Sequence, residues 1–498
     1  MDYLTSPAFS FRVRDLINRH HIPGLSIAIL KDEQIFSSGY GQASLDPPKP
    51  CTADTLFDIA SSSKSLTAAS VALLVRDNDK YPEVRYEATM SSLLRDDFVM
   101  SGQGYTENVT VEDVLSHRTG LPRHDDSYLG IRASHPDTAR SVTRNLRNLA
   151  VAAPLRSKYL YTNIMYTVAT HLIEQKTGLA FADFLQERFF TPLQMNSTHL
   201  QPARAKAAGL GDRLATGYAW DDKQEKYAGF EALDTPEAQG AGSIITSAND
   251  YLKWVKALMN REHPVDEEVY RGLIRLRSFS TRDAEDREPM TSPLAYAAGL
   301  EVFYYRGYMV VGHDGAVAGF GSRHFFVPEV KLGGVILGNT ENAGSVATIL
   351  SRELIDEALG VPETERPDWE KMITRRDRDE EGRLDEPACA LCDTDDELEP
   401  QKMPLEAYVG VYWNPGYHGM TVQIKDGGLF IDASDRSMGY TLVFRHVREQ
   451  TEYVAHLSAF QAGGDEHIAA RFVFENDRAV KMGLRLEWEI DEMIWFVR

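Results

Sequence analysis

The sequence predicts an α+β domain followed by a small all-β barrel domain. Three observations carry this reading. Strand-like runs stand at both ends of the first 360 residues, with helical spacing between them. The stretch 361–403 is acidic and poor in apolar residues, as a linker would be. From residue 404 the pattern turns to short strands separated by tight turns. The expected division is therefore 1–360, 361–403 and 404–498.

Taken in order, residues 7–19 place Phe9, Val13, Leu16 and Ile17 on one helical face. The runs GLSIAIL (24–30) and QIFSSGYG (34–41) flank Lys31-Asp32-Glu33 and read as a hairpin. Residues 61–76 have helical spacing at Leu66, Ala69, Leu73 and Leu74, and further helices are expected near 111–116, 163–177 and 248–259. Strands return at 297–305, 308–313, 322–328 and 332–339, and a helix over 344–358 closes the domain. This order suits one sheet assembled from distant segments, flanked by helices and carrying a helical subdomain. In the last part, MTVQIK, Asp426-Gly427-Gly428 and LFIDA give a strong hairpin signal. RFVFEN, AVKMGLRLE and EMIWFVR continue the strands.

Composition limits the function classes. The chain is 43% hydrophobic and 26% charged, enough to bury a sizeable core and unlike a disordered or collagen-like chain. Its net charge of −21 opposes nucleic acid phosphates and anionic lipid. No run approaches the ~18 unbroken apolar residues of a membrane span. The N-terminus has no basic region followed by an apolar one, so a cytoplasmic location is expected. Three cysteines make no disulfide framework. Cys389 and Cys392 form a C-x-x-C without a second pair, so an incidental reduced pair is expected rather than a zinc site. There is no G-x-S-x-G elbow, no H-E-x-x-H and no Walker loop.

Three short motifs carry chemistry. In FDIASSSKSLTAASVALLV, Ser61 and Lys64 lie three apart and share a helix face, so an uncharged Lys64 can take the Ser61 proton. Burial and the positive end of a helix dipole both disfavour the ammonium. The plainer alternative is that the serines cap the helix. Tyr161-Thr162-Asn163 opens a helical run; a phenol near an ammonium can have a lowered pKa and move protons, and an amide can orient Lys64 and a substrate carbonyl. Tyr412-Trp413-Asn414 fits the same pattern. His313-Asp314-Gly315 sets a polar group on an edge-like strand beside glycines, or else is a surface turn. Lys176-Thr177-Gly178 reads as a helix end. His117, His124 and Asp125 would either line the cleft or, as the plainer reading, form a solvated loop.

The order S-x-x-K, Y-x-N, H-x-G resembles the serine β-lactamase and penicillin-binding-protein superfamily, closest to the class C β-lactamase-related branch. The segments IPGLSIAILKD, VEDVLSHRTGLP, YLYTNIMYTVATHLIEQKTG, GAGSIITSANDYLKW and GHDGAVAGFGS resemble it too, over roughly residues 8–358. The C-terminal part resembles the lipocalin-like domain appended to some members, on LEAYVGVYW and the hairpin.

The resemblance implies a serine hydrolase that forms an acyl-enzyme on ester or amide substrates, small molecules or peptides, with no cofactor and no metal. It implies Ser61 as nucleophile, Lys64 as base and Tyr161 as proton relay, with His313 standing where a lysine is usual. Asn163 and Gly315 would bind substrate, and the N–H groups of Ser61 and Ala316 would form the oxyanion hole. Asp314 stands where a small or hydroxyl residue is common; a carboxylate facing the cleft would repel anionic substrates. A neutral His313 is a poorer anion partner than lysine, which leans toward esterases, D-aminopeptidases and acyltransferases. Two alternatives stay open: an acyltransferase or cyclising transesterase using the same site, and an inactive fold serving as a binding module.

Overall fold

The computed structural model describes residues 3–280, 287–379 and 399–498. The first domain is built on a nine-stranded sheet. Its strands are β1 (Gly24–Lys31), β2 (Gln34–Leu45), β3 (Pro48–Pro50), β4 (Ser278–Phe279), β5 (Ala295–Tyr296), β6 (Glu301–Tyr305), β7 (Tyr308–Val317), β8 (Phe320–Val327) and β9 (Leu332–Gly338), in the spatial order β3-β2-β1-β9-β8-β7-β6-β5-β4. The distant ends of the domain meet at the β1–β9 pair, where Leu25 faces Gly338 and Lys31 faces Leu332. The β1–β2 turn holds Asp32 and Glu33 at positive φ, the twist that a two-residue hairpin loop requires. The run expected as one strand over 297–305 is broken, because Gly299 turns at φ +64 against the backbone of Lys64.

Helices cover both faces of the sheet. Strand β1 is buried as far as Leu30, and its side chains sort by alternation. Leu25, Ile27 and Ile29 pack on α1 (Pro7–Arg19) and α5 (Ala343–Ala358) through Val13, Leu16, Val346 and Leu350. Ala28 and Leu30 face the other core, which holds α2 (Lys64–Arg76), α3 (Ile164–Thr177) and α4 (Ala248–Asn260). Gly178 ends α3 in the left-handed conformation, as the Lys-Thr-Gly reading expects, and Lys176 pairs with Glu83.

Part of the stretch expected as linker is packed structure. Residues 369–379 are helical. Trp369 and Ile373 are buried against the α1 and α5 layer, and the Trp369 indole donates to Asp356 at 2.7 Å. Two apolar anchors suffice there, although the segment is acidic on average. Cys389 and Cys392 lie outside the described residues.

The second domain is a closed antiparallel barrel of β10 (Gly410–Asn414), β11 (His418–Lys425), β12 (Gly428–Ala433), β13 (Tyr440–Arg448), β14 (Glu452–Ala459), β15 (Gly463–Glu475), β16 (Arg478–Leu484) and β17 (Ile494–Val497). Tyr412, Ile431, Leu442, Tyr453 and Phe472 belong to its buried interior. The barrel docks on the first domain through residues 124–132: Gly130 N–H donates to the Asp435 carbonyl and Ser437 N–H to the Tyr128 carbonyl.

Candidate active site

The turn Ala60–Ser63 is a short 3-10 helix leading into α2. Ala60 sits at φ +44, a strained conformation for a residue with a side chain. Its N–H is held by the buried Asp58 carboxyl at 2.7 Å. None of the three serines caps α2; Ser63, at the cap position, makes no capping bond. Ser62 Oγ instead donates to the His313 carbonyl at 3.2 Å, and Ser322 Oγ donates to the Ile59 carbonyl at 2.8 Å. These bonds stitch the turn to β7 and β8. What remains is Ser61, facing Lys64 and Tyr161.

Ser61 Oγ lies 2.8 Å from Lys64 Nζ and 2.8 Å from the Tyr161 hydroxyl. Lys64 Nζ is also 2.8 Å from Asn163 Oδ1 and 2.8 Å from the Ala241 carbonyl. Both of these oxygens only accept, so they take two N–H groups of the amine. An uncharged Lys64 then turns its lone pair to Ser61, whose hydroxyl donates to it, while Tyr161 donates to Ser61. Lys64 is fully buried. Desolvation holds its pKa well below the lysine range, Asp125 opposes this, and Arg123 adds to it.

Tyr161 departs from expectation. Its pKa is pushed up rather than lowered, chiefly by burial. A phenol buried in this way stays protonated and acts as a donor to Ser61.

Asn163 starts α3, and its amide Nδ2 donates to Asp125 at 3.1 Å, so one side chain links Asp125 to Lys64. Asp125 also accepts from the Tyr128 hydroxyl at 2.9 Å. His117 is completely buried, accepts from Thr162 N–H at 3.1 Å and stacks near Tyr161 with ring centroids 4.3 Å apart. His124 is buried as well, against the barrel. The solvated-loop reading therefore fails for His117, which packs among Tyr159, Tyr161 and Tyr296 of the first domain, and for His124, which meets Tyr417 of the barrel, while the partly buried Asp125 lines the cluster.

His313 lies in the same cluster but is engaged at both ring nitrogens. Its Nδ1 donates to the Asp314 carbonyl at 2.5 Å, so Nε2 accepts from the Tyr296 hydroxyl at 2.9 Å. Burial, then Lys64, lowers its pKa to about 4, which keeps it neutral at pH 7.

Strand alternation separates the rest of the motif. Gly315 faces Ser61: a Cβ there would lie 2.2 Å from the Ile59 carbonyl and 3.0 Å from Ser61 N. Residues 313–317 pair with β8 but extend past the β6 register, so their other edge runs beside the Ser61 turn. The Asp314 carboxylate points the opposite way and pairs with Arg323, which also reaches Thr348 on α5. The anticipated carboxylate in the cleft is absent from the Ser61 side, because 314 is out of phase with 313 and 315 on the strand. Ala316 shares that phase, which leaves its backbone as its contribution. Tyr296 and the Ala241 carbonyl have no signal of their own in the sequence; only the GAGSIITSANDYLKW segment points near Ala241.

The chain is similar to known proteins over nearly its whole length. The beta-lactamase family model matches residues 10–358, and a domain of unknown function, DUF3471, matches residues 394–498. An unguisins hydrolase of Aspergillus campestris is 34% identical over 495 residues, covering 98% of this chain and 91% of its own. A D-aminopeptidase of Brucella anthropi is 27% identical over 361 residues, covering 71% of this chain and 62% of its own. Among solved structures, the octameric penicillin-binding protein homologue from Pyrococcus abyssi has a TM-score of 0.61 at 18% identity, over 98% of this chain and 99% of its own.

Proposed function

The chain belongs to the beta-lactamase family, and from that premise we propose that it hydrolyses amide bonds in a small peptide-type substrate through an acyl-enzyme on Ser61. The family relationship supports acyl-enzyme chemistry on amides and esters in general. The finer reading rests on one observation, the convergence of Lys64 Nζ and the Tyr161 hydroxyl on Ser61 Oγ, each at 2.8 Å.

Lys64 takes the Ser61 proton as Oγ attacks the substrate carbonyl. The developing oxyanion is met by the N–H groups of Ser61 and Ala316, which Gly315 allows to approach. Tyr161, held protonated, gives its proton to the leaving amine and regains one from the Lys64 ammonium. Water then attacks the ester, its proton passing to the same Lys64–Tyr161 pair as Ser61 Oγ is reprotonated. Asn163 and Asp125 hold the Lys64 amine in register. Tyr296 and His313 are positioning residues that pack the far wall.

The names of two relatives narrow the substrate, one hydrolysing unguisins and the other removing D-residues. The test is turnover of unguisins and of paired D- and L-alanyl anilides. Product formation from an unguisin or the D-anilide, lost in Ser61→Ala, is expected. No turnover of any of them would overturn the substrate class while leaving the nucleophile to be tested separately.

A further inference from the structure

The outer wall of the barrel carries a second cluster of reactive side chains. His456 on β14 and His467 on β15 are register partners across an antiparallel pair, with ring centroids 4.4 Å apart. Asp465 stands two residues before His467 and so shares its face. Its Oδ1 lies 2.8 Å from His456 Nδ1 and 3.5 Å from His467 Nε2. One donor atom from each residue lies within 4.8 Å of the other two. The alternate positions Tyr453, Ala455, Ile468 and Ala470 belong to the buried core, so the trio is not part of the barrel's packing.

The spacing suits a metal ion as well as it suits the His456–Asp465 hydrogen bond. A tetrahedral ion with bonds of ~2.0–2.1 Å to imidazole nitrogen and carboxylate oxygen holds its donors ~3.3 Å apart. The 2.8 and 3.5 Å separations bracket that value. His467 Nε2 is also withdrawn from solvent, with the Asp465 carboxylate 3.5 Å away, at the edge of hydrogen-bond reach.

We propose that His456, Asp465 and His467 form a binding site for a divalent transition metal, Zn2+ by preference. Two imidazoles and one carboxylate suit Zn2+ and its neighbours, whereas Ca2+ and Mg2+ favour oxygen ligands. Three protein ligands leave one position for water. The metal clamps β14 to β15 just below their connecting tip. That tip touches the first domain: Gln461 Nε2 donates to the Glu231 carbonyl at 3.0 Å, and the Arg132 guanidinium lies 3.9 Å above the Phe460 ring. The ion thus stiffens a barrel contact with the α+β domain and takes no part in the Ser61 chemistry. No short sequence motif signals the site, because strand register, not spacing along the chain, brings the histidines together.

The test is calorimetric titration of the full, tag-free chain with Zn2+, beside His467→Ala and Asp465→Asn, and the visible spectrum with Co2+. Wild type is expected to bind an equivalent of Zn2+ that both variants lose, and to give tetrahedral Co2+ bands that both variants lack. Circular dichroism checks that the variants fold, and labelling of Ser61 should be unchanged. Absence of binding by wild type, or Zn2+ binding and Co2+ bands unaltered in both variants, would overturn the proposal.

Discussion

At the residue scale, the account turns on keeping Lys64 uncharged. Its pKa is lowered by desolvation, and Asp125 is the charge that works against this. Lys64 must be deprotonated to act, so activity should rise with pH through its titration. Asp125→Asn removes the opposing charge and should move the acid limb of kcat/KM to lower pH. It should also reduce kcat, because one of the two carboxylate oxygens that accept from the Asn163 amide becomes an NH2 group. A pH profile of the variant checks this; an acid limb displaced upward would contradict the electrostatic assignment. Much of this site was legible in advance: Ser61, Lys64, Tyr161 and Asn163 converge as their spacing and order suggest. The role of Asp125 is less legible, because its link to Lys64 runs through the Asn163 side chain, which no local pattern shows. The raised pKa of Tyr161 is not legible either, since it comes chiefly from burial.

At the element scale, β7 and the 3-10 turn before α2 act as one unit. The turn is held by Asp58, Ser62 and Ser322, and Gly315 lets the strand close on it. A methyl group at 315 would meet backbone, not a movable side chain, at 2.2 Å. Gly315→Ala should therefore cost activity by more than tenfold and stability by ~1–3 kcal/mol, the range of overpacked sites. Thermal melting and initial rates measure both; a fully active, equally stable variant would contradict this packing. Alternation along β7 was readable from sequence, but which phase faces the nucleophile was not. Asp314 shares its face with Arg323, its partner across the β7–β8 pair, while Gly315 takes the face toward Ser61. The first helix was easier: α1 buries Phe9, Val13, Leu16 and Ile17, the face its apolar periodicity marks, whereas α3 is buried all round over Ile164–Ile173.

At the scale of the whole molecule, the two domains share a buried polar seam. His124 Nε2 donates to the Ala150 carbonyl at 2.8 Å, and its Nδ1 accepts from the Tyr417 hydroxyl at 2.6 Å. The His124 N–H donates to Glu487. Burial raises Glu487 to about 8 and Asp126 to about 7, while Glu237 is raised to about 7 by the same cause. The sign follows directly. Above its ordinary pKa the unfolded carboxyl has lost its proton, but the folded one keeps it until about pH 8, so the folded state binds more protons. Stability from this group is full at low pH and is lost as pH rises toward 8, by up to ~1.4 kcal/mol per pH unit. Glu487→Gln preserves the acceptor for His124 and should flatten the fall in melting temperature between pH 6 and 8. An unchanged slope would contradict a protonated Glu487. The two-domain order itself was readable from the change in periodicity near residue 404. The seam was not, since it joins side chains that no local pattern connects.

The central claim is that Ser61 is an activated nucleophile, and the intact-protein mass after exposure to a fluorophosphonate tests it most directly. The account predicts a single adduct on the wild type, mapped to Ser61, and none on Ser61→Ala. Equal labelling of Ser61→Ala, or a folded wild type that takes no label, would contradict it.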